Sequence, residues 1–203
     1  MKQDRCKLEN FERRRIILAS RSKARRKLLK DVGLKFTVST SNIEEKRLIK
    51  TDCGDLVMEN AMSKAVDVSG RFTSGIVIAA DTVVLVGEKI IGKPESIKEA
   101  LSTLRLLSQN PQWVYTGIAV IDIDRDKKYS SFDKTKVYMY RLSEREIKNY
   151  FKRISPLDKA GSFDIQGFGS VFIDRIEGCF YNVVGLPMAK LAKILKKTGI
   201  YIF

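Results

Sequence analysis

Apolar positions along the chain fall into short continuous runs that alternate with stretches of helical period, an order that predicts interleaved strands and helices. Residues 16–19 read as a buried strand running into Ser20-Arg21-Ser22, where a serine caps a helix over about 23–32 that stops at Gly33. A second strand is expected over 36–39. A helix follows over 54–69, with Leu56, Asn60, Ala61, Lys64, Ala65 and Val68 at helical spacing. Residues 75–80 form the clearest buried strand, which runs directly into Asp81-Thr82. A hairpin is expected from 83–86 and 89–91 around Gly87-Glu88, and Pro94 is expected to open a helix near 95–108. Further strands are predicted over 113–123, 131–141 and 170–176. Ser143 and Glu146 form a capping box for a helix to about 152, and an amphipathic helix spans 186–197. The class is α/β with a mixed sheet.

Composition narrows the picture. The 203 residues suffice for one substantial core, and a 44% hydrophobic with a 31% charged share is that of a soluble globular protein. No apolar run approaches a membrane span, and the charged N-terminus lacks the apolar core of a secretory signal, so the cytoplasm is expected. Cys6, Cys53 and Cys179 are odd in number and far apart, which argues for reduced thiols rather than disulfides or a zinc site. With no histidine, Ser-His-Asp and Cys-His nucleophile systems are excluded. The net charge of +14 sits at the ends: residues 1–30 hold 12 basic and 3 acidic side chains, and 190–203 hold four lysines and no acid. Residues 1–15 read as a basic, frayed leader before one domain over 16–203.

Three places can carry chemistry. The strand-to-helix turn at Ser20–Arg26 reads either as a polyphosphate cradle, with helix N–H groups, hydroxyls and arginines, or as a plain N-cap with a solvated basic face. Asp81, at the expected carboxyl end of an apolar strand, is either a metal-binding or basic carboxylate or a turn-starting aspartate, and Glu45 in a polar loop is a possible second acid. The string from Gly87 to Lys93 mimics the start of a P-loop, but Pro94 stands where the hydroxyl should be, so a P-loop is rejected and Lys93 is kept as a phosphate contact. The polar, glycine-bearing stretch from Asp158 to Gly167 suits a ligand-gripping loop, with Lys159 a further candidate contact.

The strings LASRSKARRKLL (18–29), NIEE (42–45), SKA (63–65), AADTVV (79–84), GKP (92–94), YTG (115–117), DKAGSFDIQGFG (158–169) and VVGLPM (183–188) together resemble the Maf family of nucleoside triphosphate pyrophosphatases, in order and spacing over about 16–197. The resemblance implies an α/β fold whose mixed sheet and flanking helices form two lobes around a central nucleotide cleft. It implies hydrolysis between the α and β phosphates, giving a monophosphate and pyrophosphate. Asp81 would be the catalytic carboxylate acting on the attacking water. Glu45 would help Asp81 hold a divalent cation, Mg²⁺ or Mn²⁺, and Ser20, Ser22, Arg25, Lys64 and Lys93 would grip the phosphates. A homodimer is implied as well.

Two branches of the family differ at three substrate-selecting positions. Thr82 and Gln166 match the dTTP/UTP branch, while Ala24 departs from it, standing where that branch carries Arg, and Lys23 replaces the usual proline. Arg26 or Lys23 is a candidate substitute for the missing guanidinium. The expectation is pyrimidine triphosphate hydrolysis in nucleotide-pool house-cleaning, with room for CTP or modified pyrimidines. The competing readings are 7-methyl-GTP or a non-standard purine triphosphate as substrate, and a non-catalytic basic nucleic-acid-binding or cell-division regulatory protein. The second is disfavoured because aromatics do not interleave with the basic runs in the sequence.

Overall fold

The computed structural model describes residues 14–46, 52–157 and 159–203. The elements are β1 (Ile16–Leu18), α1 (Lys23–Asp31), β2 (Thr37–Val38), α2 (Cys53–Ser69), β3 (Ile76–Val86), β4 (Lys89–Ile91), α3 (Ile97–Leu107), β5 (Gln112–Asp122), β6 (Lys127–Met139), α4 (Glu144–Phe151), β7 (Ile173–Glu177), α5 (Phe180–Val184) and α6 (Met188–Lys197). Seven strands form a mixed sheet in the order β2-β1-β3-β5-β6-β7, with β4 paired to β3. β1 runs parallel to both β2 and β3, whereas β4 on β3 and β7 on β6 are antiparallel. The expected α/β class with a mixed sheet and helices is therefore the fold observed.

The chain divides into two compact units. The first holds the described residues up to Asp81 with Gly117–Phe132 and Gly185–Phe203, and the second holds Thr82–Thr116 with Asp133–Val184. The core of the first unit is built from Ile17, Ala19, Ala61, Ala65, Val68, Val77, Ala79, Ala119 and Ile121. Its many alanines let α2 lie close on the sheet. Gly117 marks the tightest approach, since a Cβ there would stand 2.3 Å from the carbonyl oxygen of Val57. In the expected leader, residues 1–13 lie outside the described residues. Arg14 bonds both Asp122 and Asp124 and donates at 2.9 Å to the carbonyl of Thr198.

The second unit packs Leu104, Leu107, Val114, Val137, Ile147, Tyr150, Phe163 and Ile165 around its part of the sheet. The capping box forms as expected, with the Ser143 and Glu146 side chains satisfying each other's backbone N–H groups.

Three expectations are corrected. The strand through 75–80 does not stop before Asp81 but continues unbroken to Val86, because Thr82 to Val86 are mostly β-branched and Val84 to Val86 pair with β4. The helix after Pro94 opens at Ile97, where the Ser96 hydroxyl accepts from the N–H of Glu99. The strand expected over 170–176 is delayed to Ile173. Gly167 (φ +58°) turns the chain into a 3₁₀ segment, Gly167–Phe172, and a Cβ on Gly169 would come 1.9 Å from the carbonyl oxygen of Asp164.

Candidate functional site

Strand alternation sends Val77, Ala79 and Asp81 to the same face of β3. Val77 and Ala79 pack in the core beneath α2, so the next residue on that face, Asp81, also points at this helix. There it meets Lys64 and Asn60, which are one helical turn apart and one position before the core stripe of Ala61 and Ala65. Lys64 Nζ lies 2.6 Å from Asp81 Oδ1, and the Asn60 amide donates to Asp81 Oδ2 at 2.9 Å. Asp81 is only 4% exposed.

Lys64 Nζ also lies 2.6 Å from Glu45 Oε1, so one ammonium joins the two carboxylates. Asn60 holds the Glu45 loop in place: it donates to the carbonyl of Lys46 at 3.1 Å and accepts from that residue's N–H at 3.0 Å. Glu45 is exposed, so the buried carboxylate of Asp81 is linked through Lys64 to solvent. An ionised carboxylate has about four acceptor sites, and Asp81 spends two of them here.

The turn from Ser20 to Arg25 adjoins this cluster through β3. Ser22 caps α1 by accepting from the N–H of Arg25 at 3.3 Å, and Ser20 Oγ accepts from the N–H of Ser22 at 3.2 Å. The Arg25 side chain turns back inward. It donates to the carbonyls of Gly185 at 2.7 Å and Ala80 at 2.8 Å, and to Ser20 Oγ at 3.3 Å. Burial pushes the Arg25 guanidinium below its usual range, opposed by the nearby charges of Asp81 and Glu45. The first unit thus brings together Ser20, Ser22, Arg25, Glu45, Lys64 and Asp81.

Ala24 sits half-buried in the first turn of α1. Lys23 and Arg26, the candidate substitutes for its missing guanidinium, line a basic stripe of α1 with Lys27 and Lys30.

In the second unit, Lys93 is exposed in the loop before α3, and the carbonyl of neighbouring Gly92 accepts from the N–H of Gly161 at 3.3 Å. The loop bearing Lys93 is therefore bonded to the glycine-bearing segment that carries Gln166. Gln166 is half-buried; its N–H donates to Asp164 Oδ1 at 3.0 Å, and its side chain makes no hydrogen bond among the described residues. Lys159 lies 3.8 Å from Asp164. Thr82 faces away from Asp81, with its hydroxyl 2.9 Å from that of Thr116.

Two carboxylate oxygen donors, Glu45 and Asp81, suit a hard cation such as Mg²⁺, which typically takes one or two carboxylates and completes its shell with water and phosphate. No group of three or more His, Cys, Asp or Glu side chains is arranged to hold a metal ion among the described residues. Sequence reasoning missed Asn60 as a site residue. Its signal was an amide at the helical spacing of a buried face, one turn from Lys64.

The family described as Maf-like protein matches residues 15–198. Among similar proteins, the dTTP/UTP pyrophosphatase of Methanosarcina barkeri is 44% identical, covering 94% of this chain and 97% of its own. Those of Clostridium tetani and Caldicellulosiruptor bescii are 40% and 42% identical, covering 91% and 92% of this chain and 97% and 96% of their own. A HAM1 protein from Coxiella burnetii, 17% identical, shares the fold with a TM-score of 0.52 over 90% of this chain and 98% of its own. No helix among the described residues is long and apolar enough to cross a membrane.

Proposed function

The chain belongs to the Maf family, and from that premise we propose that it hydrolyses dTTP and UTP to the nucleoside monophosphate and pyrophosphate. The observation that carries this reading is the buried Asp81 carboxylate, held on one oxygen by Lys64 and on the other by Asn60. A carboxylate fixed at both oxygens has its remaining lone pairs in defined directions, which suits it to orient a water and take its proton.

Asp81 is the catalytic residue in this reading, aligning water for attack at the α phosphorus. Lys64 holds one Asp81 oxygen in place and can turn its remaining N–H toward a phosphate oxygen. The Ser20 and Ser22 hydroxyls and the α1 N-terminus offer donors to the phosphates, and Arg25 fixes the turn that presents them. Lys93 is a further phosphate contact. Phosphoryl chemistry depends on such positioning and charge neutralisation more than on a covalent nucleophile, consistent with a chain that has no histidine. Glu45 and Asp81 would hold a divalent cation, which when bound supplies positive charge to the phosphate oxygens and the departing pyrophosphate.

Base selection belongs in this proposal to Thr82 and Gln166, with Ala24 a departure that removes a guanidinium. A cytoplasmic homodimer over one two-lobed domain is carried as part of the same reading. Pyrophosphate release from dTTP, UTP, CTP and 7-methyl-GTP, with Mg²⁺ or Mn²⁺ present, tests it. Preference for dTTP and UTP is expected; preference for 7-methyl-GTP would show that Ala24 outweighs Thr82 and Gln166.

A further inference from the structure

Lys64 is shared between two acids of unequal freedom, with Nζ 2.6 Å from Glu45 Oε1 and 2.6 Å from Asp81 Oδ1. Asp81 is buried, and its second oxygen accepts from the Asn60 amide at 2.9 Å, so it cannot turn away without breaking a buried bond. Glu45 sits in a loop that Asn60 fixes at Lys46. The Lys64 ammonium ends a flexible four-carbon stem on α2. Of the three charged groups, the ammonium is the one that moves at least cost.

The charges of the cluster already match. Arg25 is the other cation whose charge acts on both acids, and its guanidinium is bonded to the carbonyls of Gly185 and Ala80. Two cations therefore face two carboxylates. A dication added with nothing leaving would carry the cluster to an excess of two positive charges. Hard cations bond carboxylate oxygens at about 2.0–2.1 Å, so a dication and the Lys64 ammonium cannot share these oxygens without strong repulsion.

We propose that Lys64 exchanges with the divalent cation on Glu45 and Asp81: its ammonium holds the two carboxylates together in the nucleotide-free protein and leaves them for the triphosphate when the cation binds. This rests on the proposed reading of Glu45 and Asp81 as the pair that holds the metal. Exchange gives one side chain two successive tasks. Bonded to both acids, Lys64 keeps them gathered ahead of the cation and has one N–H left over. Released from them, it offers all three N–H groups to phosphate oxygens. Lys64 thus opposes metal binding while it supports turnover, and the two effects can be measured apart.

The test is the Mn²⁺ dissociation constant of the nucleotide-free protein, read by paramagnetic resonance of free Mn²⁺, for wild type, Lys64→Met and Lys64→Arg. A crystal structure of the wild type with Mn²⁺ accompanies it. Methionine removes the competitor and should tighten Mn²⁺ binding by about tenfold or more, since two charged hydrogen bonds no longer have to break. Affinity then rises in a variant whose turnover falls, which a purely structural role would not produce. Arginine keeps a cation on the acids and should bind Mn²⁺ no more than about threefold tighter than wild type. In the Mn²⁺ structure the ion should lie on Glu45 and Asp81, with Lys64 Nζ out of hydrogen-bonding distance of both. Unchanged or weaker Mn²⁺ binding by folded Lys64→Met, or an ion on both acids with Lys64 still bonded to them, would overturn the inference. If Lys64→Met does not fold, the wild-type structure decides. A wild type and a Lys64→Met variant that both fail to bind Mn²⁺ would instead overturn the metal reading beneath it.

Discussion

Lys64 Nζ lies 2.6 Å from Asp81 Oδ1, across seventeen positions of sequence and from helix to strand. Both side chains are nearly buried, and the same ammonium reaches Glu45 at 2.6 Å. The lysine proposed to bind phosphate is therefore also the counter-ion of the proposed catalytic carboxylate.

Replacing Lys64 tests that double role. Removing one partner of a buried ion pair leaves an uncompensated charge, with a cost of about 3–5 kcal/mol. Lys64→Met should lower the melting temperature and reduce kcat by about a hundredfold or more. Lys64→Arg should recover stability better than activity, because a planar guanidinium does not reproduce a compact ammonium between two carboxylates. A Lys64→Met enzyme with wild-type kcat would remove Lys64 from the site.

Asn60 predicts a different signature. It bonds Asp81 and clamps both backbone groups of Lys46, so Asn60→Ala frees the Glu45 loop as well as one carboxylate oxygen. The expected result is a stability loss of about 1–3 kcal/mol and a fall in kcat larger than any rise in KM. Denaturant unfolding and steady-state kinetics measure the two effects separately.

Chelation should abolish activity, and Mg²⁺ or Mn²⁺ should restore it. Glu45→Gln keeps the shape but weakens the oxygen donor, so it should raise the metal concentration needed for half-maximal rate by about tenfold. An unchanged metal titration would exclude Glu45 as a ligand.

Acid stability should respond to Asp124. The hydrogen bond from Arg14, helped by the N–H of Gly75, holds this carboxyl below its usual range. A group depressed in the folded state contributes stability that is complete above its unfolded value of about 3.9 and is lost as pH falls through its folded value. The melting-temperature gap between wild type and Asp124→Asn should therefore be full near neutrality and close below about pH 4. A gap that does not change with pH would contradict the ion pair's contribution.

The sequence carried the helices and hairpins well because their signals are local. Ser22, Ser143 and Gly33 marked helix ends that the structure reproduces. What it did not carry depended on tertiary contacts. Asp81 read as a strand end because a charged residue after the five apolar residues 76–80 looks like a boundary. In the fold, Lys64 and Asn60 satisfy that charge, so the strand passes through it. Gly167 and Gly169 replaced the first half of an expected strand with a 3₁₀ segment, through backbone packing on Asp164 that no periodicity encodes. The Thr116–Asn182 bond spans 66 positions and was invisible until β5 and α5 met. Away from the basic runs at the two ends, basic and aromatic side chains meet across strands, where Lys134 and Lys136 lie over Trp113 and Arg175 over Tyr138.

The most direct measurement of the central claim compares pyrophosphate release from dTTP and UTP by wild type and Asp81→Asn, a substitution that keeps the shape and removes the base. Metal-supplemented wild type should release pyrophosphate and the monophosphate in equal amounts, and the variant should be slower by about a thousandfold or more while still folded. A folded Asp81→Asn protein with wild-type turnover would contradict the assignment of Asp81 as the catalytic carboxylate.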